Sequence, residues 1–204
     1  MRSLFSSNGL GLFNSLINKL GSEVDVLESQ IGRSNSTMYV NAATGNLVVQ
    51  NTDESIKGMG LGLNVLRTYN SLGNFDGDNN DQWRLGFIRS LSLEGVKNGS
   101  GSVVKKTTAD GYEQTFKFDS TKGIYISTEG NGAHDVIKLN NDGTGELTFG
   151  ENGHKEVYNT DYKLASFSDT NGHSTSINYK SGLVFSINTT TALPLQGFFD
   201  QNFR

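Results

Sequence analysis

The hydrophobic pattern changes its period once along the chain. In the first 36 residues Leu10, Phe13, Leu16, Ile17 and Leu20 recur at helical spacing, with Asn8 placed to cap that segment and Gly21 to end it. Val24, Leu27 and Ile31 continue on one side of a second short helical pattern. A helical leader is therefore predicted over residues 1–36. From Thr37 the period becomes two. Met38 and Val40 alternate with polar neighbours, as do Leu61, Leu63 and Val65, Phe116 and Phe118, Ile124 and Ile126, and Leu147 and Phe149. Each run is short and bounded by Gly, Asn or Asp. Such runs predict an all-β, mainly antiparallel domain over 37–188, a curved meander of hairpins, followed by a divergent tail over 189–204. Turns are predicted at Thr44-Gly45-Asn46, Asp110-Gly111, Lys122-Gly123, Asn141-Asp142-Gly143, Asn152-Gly153, Asn171-Gly172 and Ser181-Gly182.

A weak internal repeat runs through the second half. Asp142 to Phe149 is followed by Asn152 to Tyr158, then by Leu164 to Gly172 and Thr175 to Tyr179. Each unit reads strand, tight turn, strand, with an aromatic near its end. One such hairpin cannot bury its apolar face alone and needs neighbours beside it.

Composition fits that picture and narrows the chemistry. Hydrophobic residues make up 34% of the 204, and 25 are Gly, which suits short strands and many tight turns. The net charge of -4 and scattered basic residues, the longest run being Lys105-Lys106, argue against a nucleic-acid surface. The absence of Cys removes disulfides and thiolate metal sites. Met1 to Ser7 lacks the features of a secretion signal, and no apolar run reaches membrane-spanning length.

The stretch Val40 to Trp83 carries a resemblance. Gly45-Asn46-Leu47, Asp53, Gly60, Arg67-Thr68-Tyr69-Asn70-Ser71, Gly73 and Trp83 occur in an order similar to the N-terminal entry segment of RHS/YD-repeat proteins. Downstream, Leu164, Asp169, Gly172 and Tyr179 are similar to the YD-repeat pattern of Gly-Arg-Leu, strand, Asp-x-x-Gly-Asn, strand and Tyr. Tyr162-Lys163 stands where that pattern has Gly-Arg, and His173 where Asn is usual. The resemblance covers residues 38–187. It implies part of a shell-forming β-sheet, secreted or at the cell surface. Many members of that family spiral long repeat arrays into a hollow cocoon around a toxic C-terminal domain. With only a few hairpin units, this chain is expected to be a truncated or split member, or the first segment of a larger assembly.

Few residues suggest chemistry. Asp76, Asp78 and Asn80 have the oxygen spacing that begins an EF-hand calcium loop. The pattern then fails, since Asp81 stands where Gly is needed and Phe87 where the bidentate Glu belongs. The competing reading is a polar loop whose short side chains satisfy its own backbone. Gly58-Met59-Gly60-Leu61-Gly62 lacks the spacing and the Lys-Ser/Thr pair of a phosphate loop. His134, His154 and His173 each lie by a predicted turn, outside any zinc or triad motif. The tyrosines and Trp83 suit either cross-strand packing or a sugar-binding face. Trp83 is predicted to be a buried core anchor. Arg67 and Tyr69, two apart on one sheet face, are predicted to organise structure, with Arg67 stacked on a ring or forked onto Asp53.

Two functions follow as expectations. The first is a non-enzymatic structural segment of an RHS/YD-repeat shell, serving toxin delivery or cell-surface interaction. It would need no cofactor and would join further repeat sheet or self-associate through its C-terminal edge. The alternative is a stand-alone secreted carbohydrate-binding module acting on a surface glycan. A hydrolase on a β scaffold is a weaker third.

Overall fold

The computed structural model describes residues 36–41, 45–56, 63–72, 82–109, 113–127, 132–190 and 195–196. The predicted leader lies outside these residues, except that Ser36 already opens the first strand. The strands are β1 (Ser36–Asn41), β2 (Asn46–Ile56), β3 (Leu63–Asn70), β4 (Trp83–Leu85), β5 (Ser90–Glu94), β6 (Val103–Thr107), β7 (Glu113–Asp119) and β8 (Ile124–Ile126). They continue as β9 (Val136–Leu139), β10 (Gly145–Thr148), β11 (Lys155–Tyr158), β12 (Leu164–Ser168), β13 (Ser174–Lys180), β14 (Leu183–Thr189) and β15 (Leu195–Gln196). The fold is an antiparallel β-meander, as the period of two predicts. It divides into a four-stranded sheet, β1 to β4, and an eleven-stranded sheet, β5 to β15, each in strict chain order. The second sheet runs past residue 188, because β15 pairs through Ser186↔Gln196 and Ile187↔Leu195.

One turn design recurs between the strands. In Asp169-Thr170-Asn171-Gly172-His173 the Asp169 amide donates to the His173 carbonyl, and Asp169 Oδ1 accepts from the amides of Asn171 and His173 at 2.9 Å each. Asn140 to Thr144 and Asn159 to Lys163 close the same backbone ring. The fourth residue of each turn is left-handed, a conformation Gly adopts without cost: φ is +92 at Gly143 and +88 at Gly172. In the middle turn that place is taken by Tyr162, at φ +57. Tyr162 is thus the residue that stands where the repeat pattern has Gly, and its ring packs against the core.

The larger sheet curls until strands distant in sequence meet. Leu91 of β5 donates its amide to Tyr162, and Arg89 accepts from the Leu164 amide, around the single bridge Ser90↔Lys163. Across the interior, a Cβ on Gly145 of β10 would sit 3.0 Å from Leu91 Cδ1 and 3.3 Å from Leu139 Cδ2, so a larger residue there would require those two side chains to shift. The inward positions Leu91, Val104, Phe116, Tyr125, Ile137, Leu139, Leu147, Tyr158, Leu164, Ile177 and Ile187 form the core, with Val65 and Leu85 of the smaller sheet packed on it.

Two sequence readings of facing are corrected here. On β8 it is Tyr125 that turns inward, leaving Ile124 and Ile126 half-buried. The Tyr125 ring lies 5.0 Å from Phe118, and its hydroxyl accepts from the Asn98 amide at 2.8 Å, so a polar tip and an aromatic body are both satisfied inside. Trp83 is not a buried core anchor. It is half-buried at the end of the smaller sheet and lies outside the core cluster.

Candidate functional site

Two polar clusters stand out, one on each sheet. The first gathers most of the residues that carry the entry-segment resemblance. Asn46 and Asn70 are buried where β2 begins and β3 ends, after Gly45 turns the chain with φ +72. Asn46 Oδ1 accepts from Ser71 Oγ at 2.9 Å and from the Leu72 amide at 3.1 Å, while Ser71 Oγ accepts from the Leu47 amide at 2.8 Å. Side-chain groups here complete the ladder that the strand ends leave open. On the opposite face of β3, Arg67 donates to Asp53 Oδ1 at 2.9 Å, and its guanidinium carbon lies 5.0 Å from the centre of the Trp83 ring. Tyr69, the register partner of Trp83, meets the same ring at 5.6 Å.

The expected fork of Arg67 onto Asp53 is a single hydrogen bond, because the planar group is laid over Trp83 instead. Nε of Arg67 is buried and meets no acceptor among the described residues. Both partners of the ion pair are more than a third exposed, so screening leaves it little to contribute. Arg67→Lys should therefore cost about 0.5–1 kcal/mol, mostly through the lost stacking on Trp83. Urea denaturation followed by Trp83 fluorescence would measure it, and an unchanged midpoint would count against the stacking.

The second cluster lies inside the curled sheet. Period-two alternation places Lys106 on the inward face of β6 beside Val104, and Glu156 on the inward face of β11 beside Tyr158. Both charges are buried. Glu156 Oε2 receives Lys106 Nζ at 3.0 Å and the Tyr158 hydroxyl at 2.6 Å, and Oε1 receives Nη1 of Arg89. Lys106 Nζ also sits 4.5 Å from the centre of the Phe149 ring. Arg89 reaches the interior from the rim, where its side chain keeps 27% of its exposure.

Burial by itself pushes the Glu156 carboxyl up, but Lys106, Arg89 and the Tyr158 hydroxyl outweigh it and hold the group at about 2. Burial lowers the Lys106 ammonium, and the Glu156 carboxylate only partly restores it. Tyr158 is pushed well above its ordinary value by burial and by the adjoining carboxylate. Beside this group, Gln114 faces Lys106 across the β6–β7 ladder. Its Nε2 lies 3.2 Å from Ser127 Oγ, 3.3 Å from the Gly132 carbonyl and 3.4 Å from Asp135 Oδ2. Burial raises the Asp135 carboxyl, against the opposing pull of the Gly150 amide on its Oδ1 at 2.9 Å.

The repeat-pattern residues are brought together as well. The Tyr179 hydroxyl donates to the Leu164 carbonyl at 2.8 Å, and burial pushes its pKa up to about 12. Lys163, standing where the pattern has Arg, lies 5.7 Å from the centre of the Tyr179 ring and donates to the Gly182 carbonyl at 2.9 Å. His173 Nδ1 meets Asp169 Oδ2 at 2.7 Å. The calcium candidate Asp76, Asp78 and Asn80 lies outside the described residues. Among the described residues no group of three His, Asp or Glu side chains is placed to hold a metal ion, and no helix is long and apolar enough to cross a membrane.

The interior charge cluster is not among the sequence expectations, which weigh Lys105-Lys106 only as the longest basic run and assign neither residue to a face. The signal was parity: Lys106 shares Val104's face, and Glu156 shares Tyr158's.

Comparison with known families adds one finding. A family model described as a domain of unknown function, DUF6531, matches residues 38–116. The matched stretch runs from β1 into β7. It holds the whole Asn46, Arg67 and Trp83 cluster and the cationic half of the interior cluster, Arg89 and Lys106. Glu156, which neutralises them, lies beyond it. No curated protein matches the chain.

Proposed function

We propose that this chain is a non-enzymatic structural segment of an RHS/YD-repeat type of shell, secreted or cell-surface, serving toxin delivery or cell-surface interaction. The observation that carries this reading is the chain-order meander of hairpins, in which Asp169 and Gly172 form the β12–β13 turn and Tyr179 of β13 bonds back to Leu164 of β12. The DUF6531 match over the entry segment supports it, and so does the interior cluster. Both oxygens of Glu156 are taken by Lys106, Arg89 and Tyr158, an arrangement suited to holding strands rather than to turnover.

The partner in this reading is further sheet of the same kind, or a second copy, at the β14 edge. β15 covers β14 only at Ser186 and Ile187, and Leu183 and Phe185 are 65% and 49% exposed. Size-exclusion chromatography with light scattering is expected to show self-association that Leu183→Lys with Phe185→Lys abolishes. Neighbouring coding sequence carrying further YD-repeat hairpins would support the shell reading. A concentrated monomer, together with calcium-dependent hits on a glycan array, would replace it with the carbohydrate-binding module.

A further inference from the structure

The curled part of the larger sheet, β5 through β12, is closed at one place only, and that closure differs from every other strand boundary in it. The other boundaries join strands adjacent in sequence. The β5–β6 and β6–β7 ladders each pair five residues, β9–β10 and β10–β11 four each, β7–β8 three and β8–β9 two. The closure has no connecting turn, one bridge, Ser90↔Lys163, and two backbone hydrogen bonds, 2.9 Å from Leu91 to Tyr162 and 3.0 Å from Leu164 to Arg89. β12 shares that edge. Its first residues face β5, whereas Ser166, Phe167 and Ser168 pair with β13.

We infer that this seam is a latch, able to open as a unit while the hairpins on either side stay paired, and that the buried Arg89, Lys106, Glu156 and Tyr158 cluster holds it shut. The cluster spans the seam: Arg89 precedes β5 and Lys106 is on β6, whereas Glu156 and Tyr158 are on β11, next to β12. With two backbone hydrogen bonds and no turn, the seam has less to hold it than any ladder beside it. A buried ion pair whose partners come from both sides adds the missing resistance, because separating them would leave charges facing each other across an apolar interior. Opening would bare the edge of β5 and the start of β12, two strand segments able to accept a strand from another chain.

Native-state hydrogen exchange on the intact chain tests this. The reporters are the amides of Leu91 and Leu164, which make the two seam bonds, against the amides of the β9–β10 and β10–β11 ladders. In Arg89→Met, which removes the rim arm and keeps the Lys106 pair, the two seam amides are expected to exchange roughly tenfold faster or more while the ladder amides do not change. Tyr158→Phe, which removes one hydrogen bond from Glu156 and no charge, should move the same two amides in the same direction by less. Equal acceleration of seam and ladder amides would show that the cluster stabilises the domain only as a whole, and would overturn the latch. Unchanged seam amides in both variants would overturn it too.

Discussion

Glu156→Gln is expected to destabilise the protein by about 3–5 kcal/mol, the range in which removing one partner of a buried ion pair falls. The carboxylate leaves, and Lys106 stays buried facing the Phe149 ring and a neutral amide, with the weaker pull of Asp135 as its remaining counter-charge. Arg89 loses less, because its side chain lies at the rim and can turn to water. Replacing both buried charges, Lys106→Met with Glu156→Leu, should recover most of that loss, since an apolar pair of similar size needs no neutralisation. Denaturant midpoints for the single and double variants check the comparison. The same residue sets an acid limit. Its carboxyl is held at about 2 in the folded protein against an ordinary value of 4.5. A depressed carboxyl stabilises fully above its unfolded value, so this contribution is complete above 4.5 and is lost as the pH falls from there toward 2. Acid titrations of wild type and Glu156→Gln should converge at the low end, and parallel curves would contradict the assignment.

Phe116→Ala should be comparably costly, about 3–5 kcal/mol, as for a fully buried aromatic ring. Phe116 is 0% exposed and lies opposite Val104 across the β6–β7 ladder. Phe118, two residues on, is only partly buried, so Phe118→Ala should cost distinctly less. Both rings lie on the inward face of β7, so the pair measures how burial falls off along that face toward the end of the strand. Equal losses would mean that the inward face of β7 is buried as deeply at Phe118 as at Phe116.

The meander was legible because Gly, Asn and Asp mark each turn. Where the alternation is long, as in Phe116 and Leu147, its parity also identified core residues. It misled on β8. Three residues are too few for parity to choose a face, and a β-branched pair outscored the single Tyr125 that packs inside. Arg67, Asp53 and Trp83 came together as their residue types suggested, since a guanidinium, a carboxylate and a ring have few other uses on one sheet face. Trp83 was expected deeper than it lies because Leu85 and Phe87 continue its face, whereas it opens a three-residue strand that is half-buried throughout. The interior charges were missed for a different reason. Lys and Glu inside a β-sheet are costly unless paired, and the pairing joins residues that only the curl of the sheet brings together.

That separation bears on the order of assembly. Arg89 and Glu156 stand 67 positions apart along the chain, whereas every hairpin joins strands adjacent in sequence. Local pairings lose little loop entropy and form early, and a contact of this span waits until the intervening strands are in register. During synthesis Lys106 leaves the ribosome well before its counter-charge exists. A sheet that rolled up before β11 was made would bury that ammonium without its carboxylate, so closure of the curl is expected to follow β11.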